Sequence, residues 1–150
     1  MVTVFYNLKH APRPGRAYIS RSGKWRGPGV MGAKRILLVE DEPEISEFLT
    51  TALRGSGYAV DAAGTAAEAW AYLDAQRYAL VITDWRLPDG DGSLIADSAA
   101  ELGAKTFLMS GYLFHMPGGR AEQHQTLMKP IRPSEIVALV QHSIGAASLP

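Results

Sequence analysis

Acidic side chains follow two apolar segments of the sequence, at the points where buried strands would end. Glu40, Asp41 and Glu42 come directly after the apolar residues 36–39, in the stretch "LLVEDE", and Asp84 follows a second apolar run. Two carboxylates about 4 Å apart repel each other by about 4 kcal/mol at an effective dielectric constant near 20. These acids therefore either extend into water or converge on something that offsets the repulsion.

The composition of the chain is that of an ordinary soluble globular protein. The 150 residues are 47% hydrophobic and 20% charged, which fits one domain with a core large enough to fold unaided. The absence of cysteine excludes disulfides and thiolate metal sites. No apolar run reaches the ~18 residues of a membrane span, and no signal-peptide pattern opens the sequence. We therefore expect a cytoplasmic protein.

The charges are distributed unevenly along the chain. Residues 1–39 carry eight Lys and Arg and no acid, whereas residues 40–150 carry seven bases and fifteen acids, a net charge of −8. Residues 1–33 are rich in Gly and Pro and lack a sustained apolar period, which predicts an extension outside the fold. Three interpretations stay open: translation from an upstream start codon or otherwise added residues before Met31, a basic arm that binds nucleic acid or an acidic partner, and a structural arm.

Short apolar runs alternate with helical periodicity from residue 35 onward. Strands are predicted at residues 35–39, 58–62, 79–83, 106–109 and 126–128. Helices are predicted to begin at Pro43, at the capping box formed by Thr65 and Glu68, at Ser93 and at Ser134. This alternation predicts an α/β fold with a doubly wound five-stranded parallel sheet of order 2-1-3-4-5. Ligands bind such sheets beyond the carboxyl ends of strands 1 and 3, where Glu40, Asp41 and Asp84 would meet.

Four motifs stand at the ends of strands 1, 3, 4 and 5: "LLVEDE", "VITDWRLPDGDG", "MSG" and "LMKPI". With these motifs in this order, residues 34–146 resemble a response-regulator receiver domain, and residues 147–150 would be a tail. The resemblance implies a flavodoxin-like receiver fold and a phosphoprotein of two-component signalling. Such a domain accepts a phosphoryl group as an aspartyl phosphate.

The resemblance also implies a metal site. Converging carboxylates without Cys or a nearby His form an all-oxygen site that suits Mg²⁺, or Mn²⁺. Asp41 and Asp84 would bind the ion directly, with the backbone carbonyl of Arg86 as a third protein ligand. Glu40 would act through a bound water, and Glu42 would point to solvent.

The phosphoryl chemistry would then centre on Asp84 as the nucleophile, with the metal neutralising the incoming oxygens. Lys129 would be a counter-ion to Asp84 and then a positive charge beside the phosphoryl group. The hydroxyl of Ser110 would donate to a phosphoryl oxygen. The resemblance implies a cis peptide bond at Pro130.

Each of these residues also has a purely structural interpretation. Asp41 could cap the first helix, Asp84 and Ser110 could be turn residues, and Lys129 could be a surface lysine. The histidines show no ligand spacing and are predicted to lie at the surface: His10, His115, His124 and His142.

Rival sites fail at named positions. A calcium loop that began at Asp89 would need glycine where Leu94 stands and a bidentate Glu where Ala100 stands. A flavodoxin needs a phosphate loop after strand 1, where "EDEPE" would repel phosphate. A phosphatase of the haloacid-dehalogenase type needs an Asp where this chain has Arg86. We therefore expect no enzyme beyond the domain's own Mg²⁺-dependent phosphorylation and dephosphorylation.

The chain departs from the family pattern at the expected switch. Thr126 stands where receivers normally carry an aromatic residue that swings inward. The stretch from Ser110 to Lys129 is short and contains "MPGGR", which predicts a shortened fourth helix, between strands 4 and 5. Tyr112 could substitute for the missing aromatic or could be a lid over the site.

We expect a stand-alone receiver, because few residues follow the last helix. Its partners would be a sensor histidine kinase or a histidine phosphotransfer protein, and a downstream protein or a phosphorelay, with no nucleic acid and no membrane. The alternative is a pseudo-receiver that binds proteins independently of phosphorylation. Thr126 favours this alternative, whereas the four residues Asp41, Asp84, Ser110 and Lys129 favour the first hypothesis.

Overall fold

The computed structural model describes residues 34–111 and 121–147, together with the backbone of two short segments, Tyr18–Ile19 and Trp25–Arg26. The chain divides into two compact units, Met1–Gly32 and Ala33–Pro150. In the first unit the two short segments pair as antiparallel strands. The second unit contains the acidic residues and the four motifs.

Five parallel strands form the central sheet of the second unit. They are β1 (Arg35–Val39), β2 (Ala59–Ala63), β3 (Leu80–Asp84), β4 (Lys105–Ser110) and β5 (Gln125–Met128). Their order is β2-β1-β3-β4-β5, and every neighbouring pair is parallel. The predicted doubly wound sheet of order 2-1-3-4-5 is confirmed. Every predicted strand boundary lies within about one residue of the observed one, the usual uncertainty of such boundaries.

Two layers of helices cover the sheet. The helices are α1 (Pro43–Gly55), α2 (Ala66–Ala75), α3 (Gly92–Glu101) and α4 (Pro133–Ile144). Ile36 and Leu38 of β1 pack with α1 and α4, whereas Leu37 and Val39 pack with α2 and α3. Because both faces of β1 are covered, apolar residues occupy four of its five positions and all four are buried. This packing holds the carboxyl ends of the strands at fixed positions.

The loop after β3 forms a small antiparallel hairpin that the sequence did not predict. Arg86–Leu87 pairs with Gly90–Asp91, and the two acids of the loop cap two helices. Asp91 accepts a hydrogen bond from the Ser93 backbone N–H at the start of α3, at 2.8 Å. Asp89 accepts hydrogen bonds from the first two backbone N–H groups of α2, and these bonds lower its pKa. The loop therefore joins the starts of α2 and α3 beside Asp84.

The capping box predicted at the start of α2 forms in a modified way. The Thr65 hydroxyl accepts a hydrogen bond from the Glu68 backbone N–H at 3.1 Å, as predicted. The Glu68 carboxylate accepts from the Gly64 N–H instead of the Thr65 N–H. The helix start is correctly placed, with one of its two bonds displaced by one residue.

The two ends of the domain are tied together at the amino edge of the sheet. The Lys34 ammonium group, just before β1, donates to the backbone carbonyl of Ile144 at the end of α4. The Tyr58 hydroxyl, just before β2, donates to the carbonyl of Gly145 at 2.6 Å. Gly145 has a φ of 81°, a conformation that glycine adopts without strain. These bonds satisfy carbonyls that the helix itself leaves free.

The prediction of a shortened fourth helix concerns mainly residues 112–120, which lie outside the described residues. The described chain resumes with a single 3₁₀ turn, Ala121–Gln123, before β5. Among the described residues, no helix has the length and apolar character needed to cross a membrane.

Candidate functional site

Three carboxylates meet at the carboxyl edge of the sheet. Glu40 and Asp41 follow β1, and Asp84 is the last residue of β3, the neighbouring strand. Each offers a carboxylate oxygen, and these oxygens all lie within 4.8 Å of one another. Glu40 is 1% exposed and Asp84 4% exposed, whereas Asp41 is open to solvent. The carboxylates therefore converge at the place that the strand order predicts.

The backbone of β1 continues past the last apolar residue and fixes Glu40. Its N–H donates to the Ala63 carbonyl of β2 at 3.0 Å, so the strand pairing holds Glu40 facing inward. The Glu40 carboxylate accepts the Glu42 backbone N–H at 3.1 Å. Glu42 is exposed, as predicted. Only one of the three consecutive acids is therefore buried.

Lys129 supplies the positive charge of the site. Its ammonium nitrogen lies 2.7 Å from Glu40 Oε2 and 2.7 Å from Asp84 Oδ1. Within the described residues, no other hydrogen-bond donor reaches either oxygen. One ammonium group therefore serves two buried carboxylates, and with Asp41 the formal charge of the site is −3 + 1 = −2.

The surplus negative charge changes the protonation of the site. Burial and then the neighbouring Glu40 carboxylate raise the pKa of Asp84 to about 8, against the opposing effect of Lys129. Burial lowers the pKa of Lys129, but its contacts with Asp84 and Glu40 outweigh burial and raise it. Burial is thus the main cause of the raised pKa of Asp84, and the crowding of acids around one ammonium group adds to it and raises the pKa of Lys129.

This surplus of negative charge fits a divalent cation. Two buried carboxylate oxygens share one donor, a third carboxylate stands at the solvent side, and all candidate ligands are oxygens. Hard oxygen ligands and an open side toward water are the preferences of Mg²⁺ in proteins. Glu40, Asp41 and Asp84 are the residues that would hold the ion. The ligand role predicted for the backbone carbonyl of Arg86 stays a prediction. The Arg86 side chain is engaged elsewhere, since its guanidinium lies 4.8 Å from the centre of the Trp85 ring.

The remaining motif residues lie at the ends of β4 and β5. Ser110 is buried, and its backbone carbonyl accepts the Lys129 N–H at 3.0 Å, so the two strands end together. The Lys129–Pro130 peptide bond is cis, the isomer that the resemblance implies. Thr126 is exposed on β5, opposite Leu108. Tyr112 lies outside the described residues, so its two interpretations stay open.

His124 contradicts the prediction of surface histidines. Its side chain is buried and lies between α3 and β4, where one ring nitrogen contacts the Thr106 hydroxyl and the other lies 2.7 Å from Asp97 Oδ1. The alternation of β5 would place His124 on the side of exposed Thr126, but the chain turns just before the strand and points it inward. His142 is exposed, as predicted, and His10 and His115 lie outside the described part of the chain.

Comparisons with known proteins agree with this geometry. Residues 36–141 match the family model "Response regulator receiver domain". The chain is 36% identical over 118 residues to Response regulator Rre1 of Synechocystis, covering 73% of this chain and 51% of Rre1. It is 29% identical over 119 residues to Response regulator receiver protein CpdR of Brucella abortus, covering 76% of this chain and 99% of CpdR.

Solved structures show the same fold. A CheY-like receiver domain protein from Methanospirillum hungatei matches with a TM-score of 0.69 and 28% identity, over 74% of this chain and 93% of that one. Response regulator protein TrrA from Thermotoga maritima, in complex with Mg²⁺ and BeF, matches with a TM-score of 0.65 and 29% identity, over 73% and 97%. The chain spans about half the length or less of the first curated relatives that it matches.

Proposed function

Because the chain belongs to the response regulator receiver family, we propose that Asp84 accepts a phosphoryl group from a histidine kinase or a histidine phosphotransfer protein in a Mg²⁺-dependent reaction. The observation that carries this proposal is the donor deficit around Asp84. Its buried carboxylate shares a single ammonium group with Glu40, beside the third carboxylate of Asp41. A divalent cation would offset the surplus negative charge, and the Asp84 carboxylate beside it would be the nucleophile.

In the proposed reaction, an Asp84 oxygen attacks the phosphorus of a phosphohistidine. A phosphorus–oxygen bond forms, the phosphorus–nitrogen bond breaks, and the imidazole leaves with the electron pair of that bond. Mg²⁺, when bound, would supply positive charge to the phosphoryl oxygens and to the carboxylates. Asp84 must be ionised to attack, so a second positive charge at the site assists the reaction by lowering its raised pKa.

Lys129 and Ser110 would act on the product. Lys129, 2.7 Å from Asp84 Oδ1, is within reach of a phosphoryl group attached there. Ser110, at the end of the adjacent β4, would donate its hydroxyl to a phosphoryl oxygen. Thr126 would not act as the aromatic switch, and the role of Tyr112 depends on the residues between β4 and β5.

We further propose that this receiver, residues 34–146, signals through a partner protein or a phosphorelay and not by contact with nucleic acid or a membrane. The match to CpdR over 99% of its length supports this proposal, because that relative is about as long as one receiver domain. Two other relatives, PmrA and MtrA, are named as a transcriptional and a DNA-binding regulator, and this chain spans half or less of each. Residues 1–33 would be an extension, residues 147–150 a tail, and the protein cytoplasmic.

The proposal is tested by mass spectrometry after incubation with acetyl phosphate and Mg²⁺. The wild type should gain about 80 Da, one phosphoryl group, and Asp84→Asn should gain nothing. Asp74→Asn is the matched control, because Asp74 is an exposed aspartate of α2 away from the site, and it should be labelled like the wild type.

Equal labelling of the wild type and Asp84→Asn would disprove the assignment of the acceptor. A folded wild type that acetyl phosphate and purified histidine kinases all leave unlabelled would favour the pseudo-receiver.

A further inference from the structure

We infer that Gly92 and Thr83 are positioning residues that fix the backbone carbonyl of Asp84 and thereby aim its carboxylate. The inference rests on the proposed role of Asp84 as the phosphoryl acceptor. Neither residue belongs to the cluster of charged groups at the site. Both residues lie against the backbone carbonyl of Asp84 and not against its carboxylate.

Gly92 is the first residue of α3 and is buried against the strand that carries Asp84. Its N–H donates to the Trp85 carbonyl at 2.6 Å, which attaches the start of α3 to the residue after the acceptor. The Asp91 side chain caps the same turn by accepting the Ser93 N–H and hydroxyl. The start of α3 therefore cannot move away from Asp84 without losing the bond from Gly92 to Trp85, and the Asp91 cap keeps the first turn of the helix intact.

A methyl group on Gly92 would overlap the acceptor's own backbone. It would lie 1.6 Å from the Asp84 carbonyl oxygen, 2.8 Å from the carbonyl carbon and 2.9 Å from the Thr83 hydroxyl oxygen. Real contacts of this kind essentially never fall below 3.0 Å, so the methyl carbon and the carbonyl oxygen would have to separate by at least 3.0 − 1.6 = 1.4 Å. The obstacle is main chain, which cannot rotate aside as a side chain can. Gly92 is therefore required by close approach, and its φ is not positive.

The Asp84–Trp85 peptide group is held from both sides. On one side the buried Thr83 hydroxyl donates to the Asp84 carbonyl oxygen at 3.0 Å, in the space that Gly92 leaves open. On the other side the Trp85 N–H donates to the Met109 carbonyl of β4 at 2.8 Å. The orientation of this peptide sets the direction of the Asp84 Cα–Cβ bond, and so the position of the carboxylate relative to Lys129 and Asp41.

Displacement of the acceptor should lower the rate of phosphorylation strongly. A misplacement of about 1 Å can cost on the order of a hundredfold in rate. We therefore expect Gly92→Ala to lower the maximal rate of labelling by acetyl phosphate by about ten- to a hundredfold. Thr83→Val, which keeps the side-chain shape and removes the hydroxyl, should lower it by several-fold. Thr83→Ser, which restores the hydroxyl, should recover the wild-type rate.

The experiment measures initial rates of labelling over a range of acetyl phosphate concentrations at saturating Mg²⁺, for the full chain. The matched control is Gly55→Ala, because Gly55 is also a helical glycine and a methyl group there would meet no atom within 4 Å. Urea unfolding gives the folded fraction of each protein. A loss of folded protein lowers the labelled amount in proportion, whereas misplacement lowers the maximal rate of fully folded protein and leaves the half-saturating concentration little changed.

The double variant shows whether the two residues act on one group. If both residues hold the same carbonyl, the fold-decrease in labelling rate of the double variant Gly92→Ala/Thr83→Val should be smaller than the product of the two single fold-decreases. Multiplicative effects, or wild-type rates in folded Gly92→Ala and Thr83→Val, would overturn the inference. If Gly92→Ala does not fold, Thr83→Val and Thr83→Ser decide the question. A wild type that is not labelled would instead count against the proposed function of Asp84.

Discussion

Two aspartates of the same sheet, Asp84 and Asp61, have opposite surroundings. Asp61, in β2 with a side chain 20% exposed, accepts hydrogen bonds from the Tyr78 hydroxyl at 2.7 Å, from Arg35 at 3.1 Å and from Gln76 at 3.3 Å. Asp84 is more deeply buried, and among the described residues its donor is one ammonium group, which it shares with Glu40. The more buried carboxylate therefore has fewer donors.

This difference distinguishes an acid whose charge the fold compensates from one whose charge it leaves partly uncompensated. Burying a charge is costly unless hydrogen-bond donors compensate it. Asp61 has such donors, which is typical of an acid with a structural role. Burial and the nearby Asp61 raise the pKa of Tyr78, so the tyrosine keeps its proton and remains a donor to Asp61. At Asp84 the compensation is left incomplete in the protein alone, and a ligand would complete it.

The largest expected effect is a pH dependence of the free energy of unfolding that arises from the ionisation of Asp84. Its pKa is 3.8 in an unfolded chain and is raised to about 8 in the folded protein without metal. Between these values the folded state binds one more proton than the unfolded state, so the free energy of unfolding falls as the pH rises. We expect this decrease to be on the order of 3 kcal/mol between pH 5 and pH 8, and to be absent from Asp84→Asn.

Urea unfolding in EDTA across this pH range measures the effect as the difference between the wild type and Asp84→Asn. Contributions from the rest of the protein are common to both proteins and cancel in the difference. Asp61→Asn should keep the wild-type pH dependence, because Asp84 is unchanged. Parallel pH profiles for the wild type and Asp84→Asn would show that Asp84 is already compensated.

The second effect is stabilisation by Mg²⁺. At a hundredfold excess over the dissociation constant, Mg²⁺ should raise the free energy of unfolding of the wild type by about 2.7 kcal/mol. Asp41→Ala should abolish this gain, because it removes a proposed direct ligand, and Glu40→Gln should weaken it less if Glu40 acts through water. Asp61→Asn should keep the whole gain. Calorimetric scans with and without Mg²⁺ check this, and a full gain in Asp41→Ala would remove Asp41 from the metal site.

The smallest expected effect is a loss of stability when Asp61 loses one of its hydrogen-bond donors. Tyr78→Phe removes one of three donors to Asp61 and should lower the free energy of unfolding by about 1.5 kcal/mol, as expected for a hydrogen bond to a charged group. Neither the gain from Mg²⁺ nor labelling by acetyl phosphate should change. Urea unfolding gives the first quantity. If Tyr78→Phe is at least as stable as the wild type, Arg35 and Gln76 alone satisfy Asp61.

The parts of the fold and site that could be predicted depend on local patterns. The apolar run of β1 and the acids after it are contiguous, and parallel strands bring their carboxyl ends to one edge, so the meeting of Glu40, Asp41 and Asp84 follows from the sequence. The start of α1 at Pro43 likewise depends on nearby residues. Such features need no knowledge of distant contacts.

The features that sequence reasoning missed depend on contacts that form only when the chain is folded. Asp89 looks like a turn residue, but it caps a helix that begins more than twenty residues earlier. His124 is buried because α3 supplies Asp97 and β4 supplies Thr106, and the alternation of β5 gives the opposite answer. The need for glycine at position 92 likewise arises only when α3 packs against Asp84.

The bond between Lys34 and the Ile144 carbonyl has a consequence for how the domain is attached to other chains. It joins residues 110 positions apart and brings the first and last parts of the domain to the amino edge of the sheet. Domains with adjacent ends tolerate circular permutation and insertion into another protein. A genetic fusion at either end would therefore be anchored on the side away from Asp84, which leaves the acidic edge free for a phosphodonor to approach.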